Sequence, residues 1–273
     1  MYASDPGRYK DLIIHEIAKV NPDKLHHALN DPFFDNISHL ILIVEPSSSR
    51  SVYTKRIASR RVFQLLWDRH LRHMIAHIAY FYDLFRTSPT TAVSAGWIFE
   101  FRMHQLLAVQ RAIRIFPITQ AEAGSVNYIY KDYPGENAVD LQWTGSQEEP
   151  LDLEGEFIAN RYYRPTSTNF PAIDSLLLIH PPDKSPPILL MFQITRNTNE
   201  HDVNLGGLQK VDELGLQPNT RKYYVVVTPE GVQPKISVPK KYHKVEGVKP
   251  QLPENVLHVF NYPIHRDELF PGH

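Results

Sequence analysis

Hydrophobic and polar positions alternate in two different rhythms along this chain. From Ala3 to Val20, a Ser-Asp-Pro start is followed by Leu12, Ile13, Ile17 and Val20 at helical spacing, which predicts a capped amphipathic helix. His39 to Pro46 (HLILIVEP) is a short continuous apolar run closed by a proline and serines, the pattern of a buried strand. From Val52 to Phe85, Val62, Leu65, Leu66, Met74, Ile78, Phe81 and Phe85 predict one long helix, ended by the RTSPTTA segment. SAGWIFEFRMHQLLAVQRAI predicts another helix, capped near Ser94 and burying Trp97, Phe101, Leu106 and Leu107.

The rhythm then shortens. SVNYIYKDY, VDLQWTG and EFIANRYYRP read as strands, and they lead to two strongly apolar ones, AIDSLLLIH and PPILLMFQIT. DVNLGGLQKVDEL reads as a helix despite its two glycines, KYYVVVTPEG as a strand closed by a turn, and VLHVFNYPI as a last strand. Helices followed by a meander of strands, a helix and a strand predict an α/β or α+β layout with a central mixed sheet, α/β being the class expected here. The expected division is a mainly helical N-terminal region, 1–90, and a second domain, 91–273.

Composition narrows the class. Hydrophobic residues make up 42% and charged residues 22%, ordinary for a soluble globular chain, and the apolar runs are too short to span a bilayer. The N-terminus lacks the basic and apolar regions of a secretory signal, and there is no cysteine, so disulfides and thiolate metal sites are impossible. A nuclear or cytoplasmic location is the expectation. Net charge is −1 but segregated: Arg50 to Arg72 is basic against Asp68 alone, Lys235 to Lys249 is basic again, and Glu136 to Glu156 is acidic. Such segregation suits either a phosphate-binding face or two solvated surfaces.

The common catalytic motifs (GxxxxGK[ST], GxGxxG, GxSxG, HExxH) are missing, which removes support for nucleotide-dependent and serine-hydrolase chemistry. His70, His73 and His77, at i, i+3 and i+7, share a face of the expected long helix, so a zinc site is conceivable, but no carboxylate joins them and arginines flank them, so a polar stripe is the plainer reading. Asp174 and Gln193 are more informative, because each is polar where an apolar strand would continue. Strand alternation puts Gln193 and Thr195 on one face. Asp174, the Gln193 amide oxygen and the Ile194 carbonyl form a set of hard oxygen donors suited to a divalent cation. The plainer alternative is an Asp at a strand entrance and a Gln bonded to backbone.

NFPAIDSLLL, then ILLMFQIT and His201, with GWIFEFRMHQLL before them and YYVVVTPEG after, resembles the PD-(D/E)xK restriction-endonuclease-like superfamily. Within it, the pattern is similar to the nuclease domain of Crinkler and retrotransposon-hot-spot proteins, over about residues 92–265. The resemblance implies a restriction-endonuclease-like αβββαβ core. Glu100 on its first helix, Asp174 on its second strand and Gln193 on its third would hold Mg²⁺ (or Mn²⁺), which activates water for phosphodiester hydrolysis. The implied activity is a divalent-metal-dependent endonuclease acting on double-stranded DNA. The family lysine is replaced by Thr195, so Lys210, Lys222 or His201 is the expected substitute. The alternative is a degenerate fold acting as a non-catalytic nucleic-acid- or protein-binding effector. Arg56, Arg60, Arg61, Arg69, Arg72, Lys240 and Lys241 are the expected contacts to the phosphate backbone. The resemblance of residues 1–90 to a segment that joins ATPase and nuclease in such proteins suggests a P-loop NTPase as a partner.

Overall fold

The computed structural model describes residues 6–21, 24–25, 27–28, 37–46, 53–71, 74–87, 91–120, 127–129, 138–143, 148–151, 157–165, 172–181, 183, 185–197, 200–238 and 257–273. Two compact units divide the chain: Met1–Phe101 with Phe270–His273, and Arg102–Leu269. The division falls inside one helix rather than at the expected junction after residue 90.

The first unit opens with helix α1 (Pro6–Lys19), which buries Ile13 and Ile17 but leaves Leu12 exposed. Strands β1 (Leu42–Pro46) and β2 (Tyr53–Ile57) form an antiparallel pair, with Leu42 opposite Ile57. β1 is therefore amphipathic rather than buried throughout, and Val44 is exposed. The long helix expected over Val52–Phe85 is broken three ways. Tyr53–Ile57 is taken by strand pairing. Helix α2 (Arg60–Leu66) starts where the Ser59 Oγ accepts from Val62 N at 3.2 Å. A π-helical turn (Trp67–Leu71) follows, and Met74, at φ −112° and ψ 66°, separates it from helix α3 (Ile75–Arg86). Helix α4 (Ala92–Val109) starts two residues before Ser94, so Ser94 lies in its first turn. Phe63, Trp67 and Phe101 make a three-ring cluster with centroids 5.5–5.8 Å apart, and Phe270 packs on Tyr82.

The second unit contains β3 (Ala112–Pro117), β4 (Thr119–Gln120), β5 (Asn127–Ile129), β6 (Val139–Gln142), β7 (Glu148–Leu151), β8 (Tyr162–Pro165), β9 (Ser175–Ile179), β10 (Ile188–Ile194) and β11 (Glu200–Asp202). Helix α5 (Leu205–Asp212), β12 (Arg221–Pro229), β13 (Lys235–Ser237), β14 (Leu257–Ile264) and helix α6 (Arg266–Leu269) complete it. An eight-stranded mixed sheet has the order β6-β3-β14-β12-β10-β9-β8-β7, and a four-stranded one the order β11-β13-β5-β4. β8, β9 and β10 form an antiparallel meander, while β10, β12 and β14 run parallel. The parallel strands YYVVV and ILLMF are apolar on both faces because both faces are covered. On one face, Leu208 and Val211 of α5 join Leu176, Met191, Tyr224 and Val226 in one core cluster. On the other, Tyr162 packs on Phe192 and bonds both Ser175 Oγ (2.7 Å) and His104 Nδ1 of α4 (2.6 Å). The chain is thus α/β with a mixed sheet, as its pattern predicts. Among the described residues, no helix is long and apolar enough to cross a membrane.

Candidate functional site

Asp174 immediately precedes β9, and Gln193 is the penultimate residue of β10. Antiparallel pairing extends to their junction, where Asp174 N donates to Phe192 O at 2.8 Å. That contact delivers the Asp174 carboxylate to the end of β10. Its Oδ2 accepts from Ile194 N at 2.7 Å and from Gln193 Nε2 at 3.1 Å. Both residues are half-buried. Of the expected oxygen set, the Gln193 amide oxygen is the one not presented, since Gln193 turns its amide nitrogen to the carboxylate.

Tyr224 completes this arrangement and was not among the expected site residues. In the β10–β12 register Gln193 lies opposite Val226, so Tyr224, two residues earlier, shares its face. Its Oη donates to Ala172 O at 2.7 Å and lies 3.4 Å from Gln193 Oε1. Ala172 has φ 62°, a left-handed conformation that costs a non-glycine residue about 1–2 kcal/mol, and the Tyr224 bond helps to hold it two residues before Asp174. Burial, and then the Asp174 charge, push the Tyr224 phenol far above its ordinary range, so it stays protonated.

Thr195 stands in the position where the resembled family has lysine. It is buried, and its Oγ1 accepts from Asn197 N at 3.0 Å, capping the turn that leaves β10. Lys222 is not delivered to the pair. Lys222 lies opposite Leu189, four residues along β12 from Val226, or about 13 Å at strand spacing. It pairs there with Asp212 at 2.5 Å, so the register assigns it to the opposite end of the strand. Lys210, on α5, is half-buried and pairs with Glu213 at 2.9 Å. The His201 backbone pairs with Ile236 in the four-stranded sheet, and its side chain lies outside the described residues.

Glu100 belongs to the first unit, where its carboxylate pairs with Arg60, while Asp174 and Gln193 belong to the second. Arg56 pairs with Glu45 at 2.7 Å and holds that carboxyl below its usual range. Arg61 donates to Gln64, and Arg69 is exposed on the π-helical turn. Exposed ion pairs of the Arg56–Glu45 kind are individually weak. Arg72, Lys240 and Lys241 lie outside the described residues. The histidine stripe does not form as one helix face: His70 Nε2 meets Ile17 O at 2.9 Å from the π-helical turn, His77 lies on α3, and His73 is outside the described residues.

No group of three or more His, Asp or Glu side chains that could hold a metal ion occurs among the described residues. The Asp174–Gln193 donor chemistry nevertheless fits a hard cation of the magnesium type. Such ions bind through one or two protein oxygens and complete their shell with water and substrate phosphate. The fit has one condition: the Gln193 amide must turn its oxygen to the carboxylate side. No protein-family model, no curated protein and no solved structure matches the chain.

Proposed function

We propose that this protein hydrolyses phosphodiester bonds in DNA with a divalent cation bound at Asp174 and Gln193. The observation that carries the reading is the approach of their side chains to 3.1 Å where β9 begins and β10 ends. The chain order supports it: α4, β8, β9, β10, α5 and β12 run in the sequence helix, three strands, helix, strand, with β3–β7 inserted after α4 and β11 between β10 and α5. Asp174 and Gln193 fall at the second and third strands of that series, the positions the resemblance assigns them.

Bound Mg²⁺ or Mn²⁺ would supply a polarised water and a counter-charge for the phosphate. The chain's own residues do the rest. Ile194 N fixes the Asp174 carboxylate, and Gln193 provides the second oxygen donor. With Lys222 at the far end of β12, His201 and Lys210 are the residues proposed for the duties of the absent lysine.

A second reading, a non-catalytic binding module, is favoured by Thr195, whose hydroxyl closes a turn instead of facing phosphate. Incubating plasmid DNA and Mg²⁺ or Mn²⁺ with the wild-type chain, Asp174→Ala and the isosteric Asp174→Asn separates the two. Cleavage by the wild type that both variants lose supports the nuclease. Equal activity in all three samples sinks it.

A further inference from the structure

The Tyr224 phenol has one proton and two carbonyl oxygens within reach. Ala172 O, at 2.7 Å, takes it, and Gln193 Oε1, at 3.4 Å, is left with the weaker share. On the other side of the same amide, Gln193 Nε2 donates to Asp174 Oδ2 at 3.1 Å. The amide therefore satisfies the carboxylate well and its own oxygen poorly. A half turn about its last torsion, which is broad and nearly two-fold, exchanges the two ends at almost no steric cost.

In the turned position Oε1 lies beside Asp174 Oδ2, where the two oxygens repel and a bound cation relieves the repulsion. Nε2 then lies where Oε1 was and donates to the Tyr224 Oη lone pair, while the phenol proton stays on Ala172 O. The amide has partners in both positions, and a positive charge at Asp174 favours the second. We propose that the Gln193 amide is a two-position ligand, nitrogen to Asp174 without a cation and oxygen to the cation with one, and that Tyr224 is the positioning residue that holds the second state. This rests on the cation-binding reading of the Asp174–Gln193 pair and adds the residue that sets its affinity.

The role differs from that of a structural tyrosine. A phenylalanine at 224 keeps the ring among Met191, Val226 and Leu208 but leaves the turned amide nitrogen without an acceptor. Removing such a partner behind a ligand typically weakens metal binding by about 10–100-fold. A glutamate at 193 has oxygen at both ends, so it has no orientation to hold.

The test is calorimetric titration of Mn²⁺ into the full chain as wild type, Asp174→Ala, Tyr224→Phe, Gln193→Glu and the Tyr224→Phe/Gln193→Glu pair. The expected result is Asp174-dependent uptake, weakened about 10-fold by Tyr224→Phe in the Gln193 background and unchanged by it in the glutamate background. Equal weakening in both backgrounds means that Tyr224 acts through the Ala172 turn, and it overturns the inference alone. No weakening in either background does the same. Uptake that does not depend on Asp174 overturns the cation-binding reading along with it. A second measurement needs only the folded wild type: the Gln193 side-chain amide resonances, assigned by their loss in Gln193→Glu, move when Mg²⁺ saturates the site. Resonances that stay in place at saturation refute the turn.

Discussion

Replacing Gln193 by glutamate tests the geometry of the site without any assumption about what it cleaves. The substitution sets two carboxylates at the 3.1 Å spacing now spanned by an N–H···O bond. At an effective dielectric of 20, that spacing corresponds to a repulsion of about 5 kcal/mol. A carboxyl with an ordinary pKa near 4.3 can escape by keeping its proton, which costs about 4 kcal/mol at pH 7 and about 1 kcal/mol at pH 5. The cheaper route wins, and solvent screening of two half-buried groups lowers the repulsion itself, so the penalty at pH 7 is about 2–4 kcal/mol. The folded-state pKa of the pair is raised above its unfolded value. Stability is therefore intact below about pH 4.3 and falls as pH rises above it. In thermal unfolding with EDTA, Gln193→Glu should melt roughly 5–15 °C below wild type at pH 7 and near it at pH 5. Mn²⁺ at about 100 times its dissociation constant should return about 2.7 kcal/mol, more than it gives the wild type at equal concentration. A variant that melts with the wild type in EDTA at both pH values would show that the two side chains do not face each other, and the proposed site would fall with them.

Two further outcomes follow from local structure. Asn204 caps α5, its Oδ1 accepting from Gly206 N at 2.8 Å and Gly207 N at 3.4 Å, and those two glycines make the helix a poor one on propensity alone. Asn204→Ala should cost about 1 kcal/mol, read as a lower urea midpoint with unchanged slope, and Asn204→Asp should restore it. Burial raises the phenols of both Tyr224 and Tyr262, so the folded chain keeps protons that the unfolded chain releases near pH 10. The contribution of these two groups should be flat below pH 10 and fall above it, by up to about 1.4 kcal/mol per pH unit for each group, with Tyr224→Phe removing one share of the slope. Phenolate absorbance from these two residues that appears before unfolding would contradict this.

The pattern of side chains along the chain determined the class of fold and where to look for chemistry. SLLLI and ILLMFQI announce strands because no other short element buries such runs, and Asp174 and Gln193 stand out because burying them is costly without partners. The spacing of α1, α4 and α5 was legible for the same local reason. What the chain's linear pattern could not carry was any feature set by distant pairing. The break of the Val52–Phe85 helix depends on β1 finding β2, and a helical count of apolar residues does not register a strand partner. Lys222 is close to Gln193 in motif order, but parallel register sends it to the other end of β12. That register also brings Tyr224, an unremarked member of an apolar strand, against Ala172 and Gln193. Residue types and their period are local properties and so were readable in advance. Register and the direction in which an amide points follow from contacts between segments far apart in sequence, and only the folded chain decides them.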